Sequence, residues 1–351
     1  MSLPVNHQVP DRCPGALRPF VSGDGSMVRV RRPGGRVRVH ELVELLEVTR
    51  RHSGAELIQL TSRGNLQLRA LPDPLPEDLV NDLHDWLPFP DHELVRNLLA
   101  SPLDDAAQTM IADVDTRLCA DPDLAGLPGR FLAVIDTCGD VIGEPFDLAW
   151  AADRTDPTVG WLHLGGHGLA RRVRAEDAAE TLVHVARVFQ GFRTQAAERG
   201  HAAPWHVREV DPAVFGVDWE ARPTPSGTPL PCGPLDGGQV VAGVPLGFLT
   251  ASLIQVLHGL GGNTEVTVTP WRQLVMPEHP GLGEAGFIID AADPWASISA
   301  CVGAPSCRRT DTDTIGHAQR LAETGVDESV HVAGCDRRCG APRDARVEVL
   351  A

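Results

Sequence analysis

Four cysteines near the end of the chain stand in two pairs, Cys301 and Cys307 in Cys-Val-Gly-Ala-Pro-Ser-Cys and Cys335 and Cys339 in Gly-Cys-Asp-Arg-Arg-Cys-Gly. Soft thiolates select iron-sulfur clusters or zinc, and four of them complete the valences of a cubane cluster. Structural zinc sites space their paired ligands more tightly than Cys301 and Cys307 are spaced, which favours the cluster. Gly303, Gly334 and Gly340 let backbone amides approach the sulfurs. Cys301, Cys307, Cys335 and Cys339 are therefore the expected cluster ligands, whereas Cys13, Cys119, Cys138 and Cys232 lack such pairing.

The second chemistry-bearing group is arginine, because the chain has no lysine and no tyrosine. A formal net charge of −16 excludes a nucleic-acid binder, which needs a basic field to neutralise phosphates. Arginine is planar and permanently charged and pairs bidentately with carboxylates, so a local arginine pocket suits a polycarboxylate ligand. Open positions on a mononuclear iron are usually framed by histidine and carboxylate. His163, His167, His201, His206 and His317 are available, but none forms a decisive triad. There is no Gly-x-Gly-x-x-Gly fingerprint for a nicotinamide cofactor, so electrons are expected from outside.

These residues need elements to hold them. At 351 residues with 42% hydrophobic content, the chain exceeds one typical domain. The start, Met-Ser-Leu-Pro-Val-Asn-His-Gln, lacks the apolar core of a signal peptide, and a reducing cytoplasm is expected. The uncharged stretch from Gly237 to Thr264 is long enough to span a bilayer, but Pro245, Gln255, His258 and its glycines argue against a membrane segment. An internal repeat accounts for it instead. One constant offset sets Gly35 on Gly243, Leu45 on Leu253, Gly54 on Gly262, Thr61 on Thr269 and Leu66 on Leu274 without a gap. In the first copy Val28 and Val30 alternate with Arg29 and Arg31 as in a half-buried strand, and Pro33-Gly34-Gly35 makes a turn. A helix with Leu42, Leu45, Leu46 and Thr49 on one face follows, and a second strand region bends at Arg63-Gly64-Asn65. The same offset sets Arg31 on Gln239 and Arg63 on Trp271, so the basic positions fall in one copy and imply one anionic site. Arg222-Pro-Thr-Pro-Ser-Gly-Thr-Pro-Leu-Pro has linker composition.

The cysteine pairs, with Ala300 before the first and Gly334 before the second, resemble the cluster motif of the sulfite and nitrite reductase superfamily. Val-Arg-Val-Arg-Arg-Pro-Gly-Gly and Leu-Thr-Ser-Arg-Gly-Asn-Leu-Gln-Leu resemble its tetrapyrrole-contacting strands. Val95-Arg96-Asn97-Leu98-Leu99-Ala100-Ser101-Pro102 and Leu127-Pro128-Gly129-Arg130-Phe131 resemble two more of its segments. The resemblance implies an α+β protein of two ferredoxin-like half-domains in pseudo-twofold arrangement plus two α/β reductase-type modules, the second carrying the cluster. Its boundaries would be a first half-domain over 1–75, a first module over 76–221, a linker and second half-domain over 222–285, and a cluster module over 286–351. Members commonly continue beyond that point, so the last module is expected to be short or truncated.

Cys13-Pro14-Gly15-Ala16-Leu17-Arg18-Pro19 followed by Asp24-Gly25 look most like the precorrin-3B synthase family within that superfamily. That likeness implies a 4Fe-4S cluster, a mononuclear non-haem iron, dioxygen, and a precorrin-3A-type polycarboxylate tetrapyrrole as substrate. An external NADH-dependent reductase or ferredoxin would supply electrons, with no nucleic-acid or membrane partner. The resemblance carries substrate-binding roles to Arg31, Arg63, Arg96 and Arg130. The alternative, a sirohaem-dependent nitrite or sulfite reductase, is weakened at Leu132, where the reductases place a second lysine. A non-catalytic iron-sulfur electron carrier is the third reading.

Overall fold

The computed structural model describes residues 11, 13–216, 218–342 and 345–350, and the start read from Met1 to Gln8 lies outside them. The chain condenses into two compact units. Residues 31–35 and 87–230 form one, with the described residues up to Gly15; residues 16–30, 36–86 and 231–351 form the other.

In the second unit the chain begins with β1 (Phe20–Ser22), β2 (Gly25–Val30), β3 (Arg36–Arg38), α1 (Val39–Ser53), β4 (Leu57–Leu60), β5 (Leu66–Leu71) and a short α2 (Glu77–Asp82). Burial alternates along β2, as the period of two requires. Helix α1 buries Leu42, Leu45, Leu46 and Thr49 as its periodicity predicts. The Glu41 carboxylate accepts from the Arg38 amide at the N-terminus of α1, and Gly54 closes the other end at φ 70° with its amide on the Arg50 carbonyl.

The first unit carries β6 (Leu98–Ala100), α3 (Asp105–Cys119), β7 (Ala133–Asp136), β8 (Leu148–Ala152), β9 (Val159–Leu164), β10 (Leu169–Arg174), α4 (Ala178–Glu198) and β11 (Glu220–Ala221). The chain returns to the second unit with β12 (Gly233–Leu235), β13 (Gln239–Gly243), β14 (Phe248–Thr250), α5 (Ala251–His258), β15 (Glu265–Val268), β16 (Gln273–Pro277), α6 (Leu282–Ala285), β17 (Ile298–Ala300), α7 (Thr314–Thr324), β18 (Val330–Ala333) and β19 (Arg346–Val349). The uncharged Gly237–Thr264 stretch thus resolves into two strands and a short helix, and no helix among the described residues is long and apolar enough to cross a membrane.

The repeat is explicit in the sheets of the second unit. One runs β1-β2-β5-β4-β14 and the other β12-β13-β16-β15-β3, so each copy gives one strand to the other copy's sheet. The hairpin turns match atom for atom: the Thr61 amide bonds the Asn65 carbonyl at 3.0 Å, and the Thr269 amide bonds the Gln273 carbonyl at 3.0 Å.

The repeat is not gapless in the structure, contrary to the single offset read from the sequence. Pro33-Gly34-Gly35 corresponds to Pro245-Leu246-Gly247, with φ of 69° and 78° against 57° and 74°, whereas Thr61 corresponds to Thr269. The offset changes from 212 to 208 because α5 has 8 residues where α1 has 15, and the loops make up only part of the difference. Arg31 therefore corresponds to Gly243 rather than Gln239.

A second repetition joins the parallel strands. In the first unit β6, β7 and β8 pair in parallel with α3 between the first two; in the second, β17, β18 and β19 do so with α7. The antiparallel β9, β10 and β11 extend the first sheet alone.

Replacing Gly54 with alanine tests the α1 cap. Nothing lies within 4 Å of the added methyl group, so only the left-handed backbone resists it. Urea denaturation should show a loss of about 1 kcal/mol.

Candidate functional site

Cys301 follows β17 directly and Cys335 follows β18 after Gly334, so neighbouring parallel strands deliver the two cysteine loops to the same sheet edge. The Cys301 amide bonds the Val332 carbonyl at 3.0 Å, and the Gly334 amide donates to Cys301 Sγ at 3.4 Å. In the first unit the Ser101 amide bonds the Ile135 carbonyl, and the Thr137 amide donates to Ser101 Oγ. Ser101 and Cys138 thus stand where the second unit has Cys301 and Cys335. One fold position carries a hydroxyl in one unit and a thiol in the other.

All four thiols are free. Burial raises the Cys339 pKa; Arg337 and Arg69 pull it down, and the Cys301 and Cys335 sulfurs push it up. Cys301 and Cys335 are thus among the charged groups near Cys339. Cys307 lies against Gly23 in the β1–β2 turn: a methyl group on Gly23 would sit 2.6 Å from Cys307 Sγ, and the Arg308 amide donates to the Gly23 carbonyl at 2.9 Å. Among the described residues no three His, Cys, Asp or Glu side chains gather tightly enough for a single metal ion. Four thiols from two loops, one cradled by a glycine and one receiving an amide, fit a multi-iron cluster in which each iron takes one thiolate.

Beside these loops lies a row of polar side chains on the first sheet. Arg69 forks onto Asp24 at 2.8 and 2.9 Å and donates to Gln59 Oε1 at 3.1 Å; Gln67 donates to the same oxygen at 2.7 Å, and Arg29 donates to Gln67 Oε1 at 3.2 Å. The sequence reading put Arg29 and Arg31 on one strand face. Strand β2 ends at Val30, so only Arg29 lies on the sheet. Arg63 is half-buried in the β4–β5 turn of the same unit.

The other three expected arginines belong to the first unit. Arg31 is 3% exposed and its Nε donates to Asn97 Oδ1 at 3.0 Å. Asn97 is fully buried and donates to the carbonyls of Leu94 (3.1 Å) and Gly129 (2.9 Å). One asparagine therefore ties the segments that carry Arg31, Arg96 and Arg130. Arg96 has its guanidinium fork on Asp115 at 2.8 and 2.7 Å, so a protein carboxylate already fills its bidentate site. Arg130 lies 3.9 Å over the Trp205 ring, with Nη2 3.2 Å from Asp11.

The five candidate iron histidines do not converge. His163 is buried in β9; His167 contacts the Val207 carbonyl, His206 contacts Asp147, His317 stands 3.7 Å from Glu348, and His201 is exposed. A mononuclear iron has no protein-only site among the described residues. Sequence reasoning missed Asn97, the Gln59–Gln67–Arg69 row and Arg272. Only Asn97 and Gln67 stood inside motifs that had drawn attention.

Residues 20–85 match the nitrite/sulfite reductase ferredoxin-like half domain. A precorrin-3B synthase from a Sinorhizobium species is 25% identical over an alignment covering 96% of this chain and 80% of that protein. The NirA protein of Mycobacterium tuberculosis shares the fold with a TM-score of 0.61 at 20% identity, covering 90% of this chain and 69% of that one.

Asn97→Leu leaves Arg31 and two carbonyls without their amide partner and should cost roughly 3 kcal/mol by chemical denaturation. Burial, and then Arg222, pushes the His163 pKa down to about 4. Between that value and the ordinary 6.5 the unfolded chain binds the extra proton, so stability falls as pH drops through this window. The loss should reach about 2 kcal/mol at pH 5 and shrink in His163→Leu, as measured by unfolding at pH 7 and pH 5.

Proposed function

We propose that this chain, similar in sequence to precorrin-3B synthase and in fold to a sulfite and nitrite reductase superfamily structure, is an oxygen-dependent oxidoreductase that converts precorrin-3A to precorrin-3B. One oxygen atom of dioxygen enters the substrate as a hydroxyl group on the meso carbon between rings A and D. The other leaves as water, which takes two electrons and two protons. A ring A acetate closes to a γ-lactone. The electrons come from an external NADH-dependent reductase or a small ferredoxin.

The observation that carries this reading is the junction of thiol loops and polar sheet face in one unit. Gly23 packs on Cys307, and Arg69, fixed by Asp24, acts on Cys339. A cluster on Cys301, Cys307, Cys335 and Cys339 supplies single electrons when bound. Arg29, Gln59 and Gln67, with Arg69 held on Asp24 behind them, form a row of polar groups suited to the carboxylates and rim of a macrocycle, and Arg63 stands at the turn beside it. The substrate-binding roles of Arg31 and Arg130 rest on the resemblance of their segments to those of the superfamily. Arg96 serves by holding its segment through Asp115. Leu132 stands where a reductase would keep a lysine for its small anion, which favours a tetrapyrrole that is substrate over one that is kept as cofactor.

Anaerobically purified protein should show broad brown absorption without a sirohaem band, and iron with acid-labile sulfide. Stoichiometric sirohaem would overturn the reading in favour of an anion reductase. Arg63→Ala should raise KM for the tetrapyrrole about tenfold, and Arg63→Lys should recover only part of it, because lysine lacks the fork. Steady-state assays with the external donor in excess check this.

A further inference from the structure

The β15–β16 turn contains a residue that its own backbone disfavours. Arg272 sits at φ 60°, where the matching turn of the first copy has Gly64 at φ 62°. A side chain in the left-handed region costs about 1 kcal/mol or more, so an arginine held there is kept for what its side chain does. Its stem runs along Gly247, where an added methyl group would meet Cδ at 2.7 Å, so the glycine gives it passage. Its Nη2 then donates to the carbonyl of Gly340 at 2.5 Å, the residue after Cys339. Burial alone lowers the Arg272 pKa, and no carboxylate among the described residues compensates its charge.

We propose that Arg272 is a positioning residue of the thiolate site: it pins the Cys335–Cys339 loop through the Gly340 carbonyl and places a fixed positive charge beside the iron-sulfur cluster that the four thiolates hold. The inference rests on the cluster reading. A thiolate-bound cluster gains negative charge on reduction, so a nearby cation stabilises the reduced form and raises the reduction potential. Arg337 and Arg69 also act electrostatically on Cys339. Arg69 is paired with Asp24, however, so its charge is largely spent.

The test uses full-length protein purified anaerobically, with Arg272→Gln and Arg272→Gly as variants. Iron and acid-labile sulfide in the wild type decide the cluster reading first, and their absence sinks both readings together. With the cluster present, both variants should have a more negative potential in an electron-paramagnetic-resonance-monitored titration and should lose iron to a chelator about tenfold faster. The glycine variant restores the backbone that the first copy uses, so its cluster-free form should unfold at no lower denaturant concentration than the wild type. Unchanged potential and iron loss in a variant that holds the cluster would overturn the role of Arg272 and leave the cluster reading standing. Lower cluster-free stability with an unmoved potential would reduce the residue to a structural part.

Discussion

Parallel strands end side by side, and what this chain can do with its four thiols depends on that adjacency. β17 and β18 are hydrogen-bonded neighbours running the same way, so the loops after Ala300 and Ala333 leave from one edge. Thiolates repel one another when brought together, and two short loops anchored on a packed sheet hold them against that repulsion. The small sheet is itself anchored: Ile298, Ala300, Val330 and Val332 pack with Ala318 of α7 and with Leu246 and Phe248 of the second repeat copy. Leu246 accepts a left-handed backbone, and its side chain joins that core. Strain at one residue is offset by burial at the strands that aim the cysteines.

Duplication supplied the scaffold, and divergence at a few positions supplied the chemistry. The Ser101–Thr137 contact in one unit and the Cys301–Gly334 contact in the other use the same backbone plan. Exchange of an oxygen for a sulfur turns a loop-locking hydroxyl into a candidate metal ligand. The hairpin turns diverge in the same way, with Arg63 and Gly64 in one copy and Trp271 and Arg272 in the other. The sequence reading had placed basic residues in one copy only; Arg272, one position beyond the aligned Trp271, gives the second copy a cation as well, bonded to the Gly340 carbonyl.

What could be read in the sequence follows physical range. The face of α1 was legible because it is set by local periodicity, and the cysteine pairs because ligand spacing is local. The register of the repeat was misread because matches after the helices outweighed those before them, which hid the shortening of α5. Arg31 was given to a strand face because alternation continues one residue past the end of β2; its burial against Asn97 depends on a partner 66 positions away. The engagement of Arg96 by Asp115 and the Gln59–Gln67–Arg69 row likewise arise from side chains that only the fold brings together. The likeness to precorrin-3B synthase supports the proposed chemistry, and these contacts separate the arginines already forked on protein carboxylates from the others.

Whether the tetrapyrrole is consumed decides between a substrate and a kept cofactor. Incubation of the anaerobically purified protein with precorrin-3A, an electron donor and heavy-isotope dioxygen, followed by mass spectrometry of the tetrapyrrole, measures this directly. Conversion to precorrin-3B gives a product that has gained one labelled oxygen atom, with the second recovered in water. A tetrapyrrole that returns unlabelled and unchanged while the protein holds its cluster would contradict this conversion.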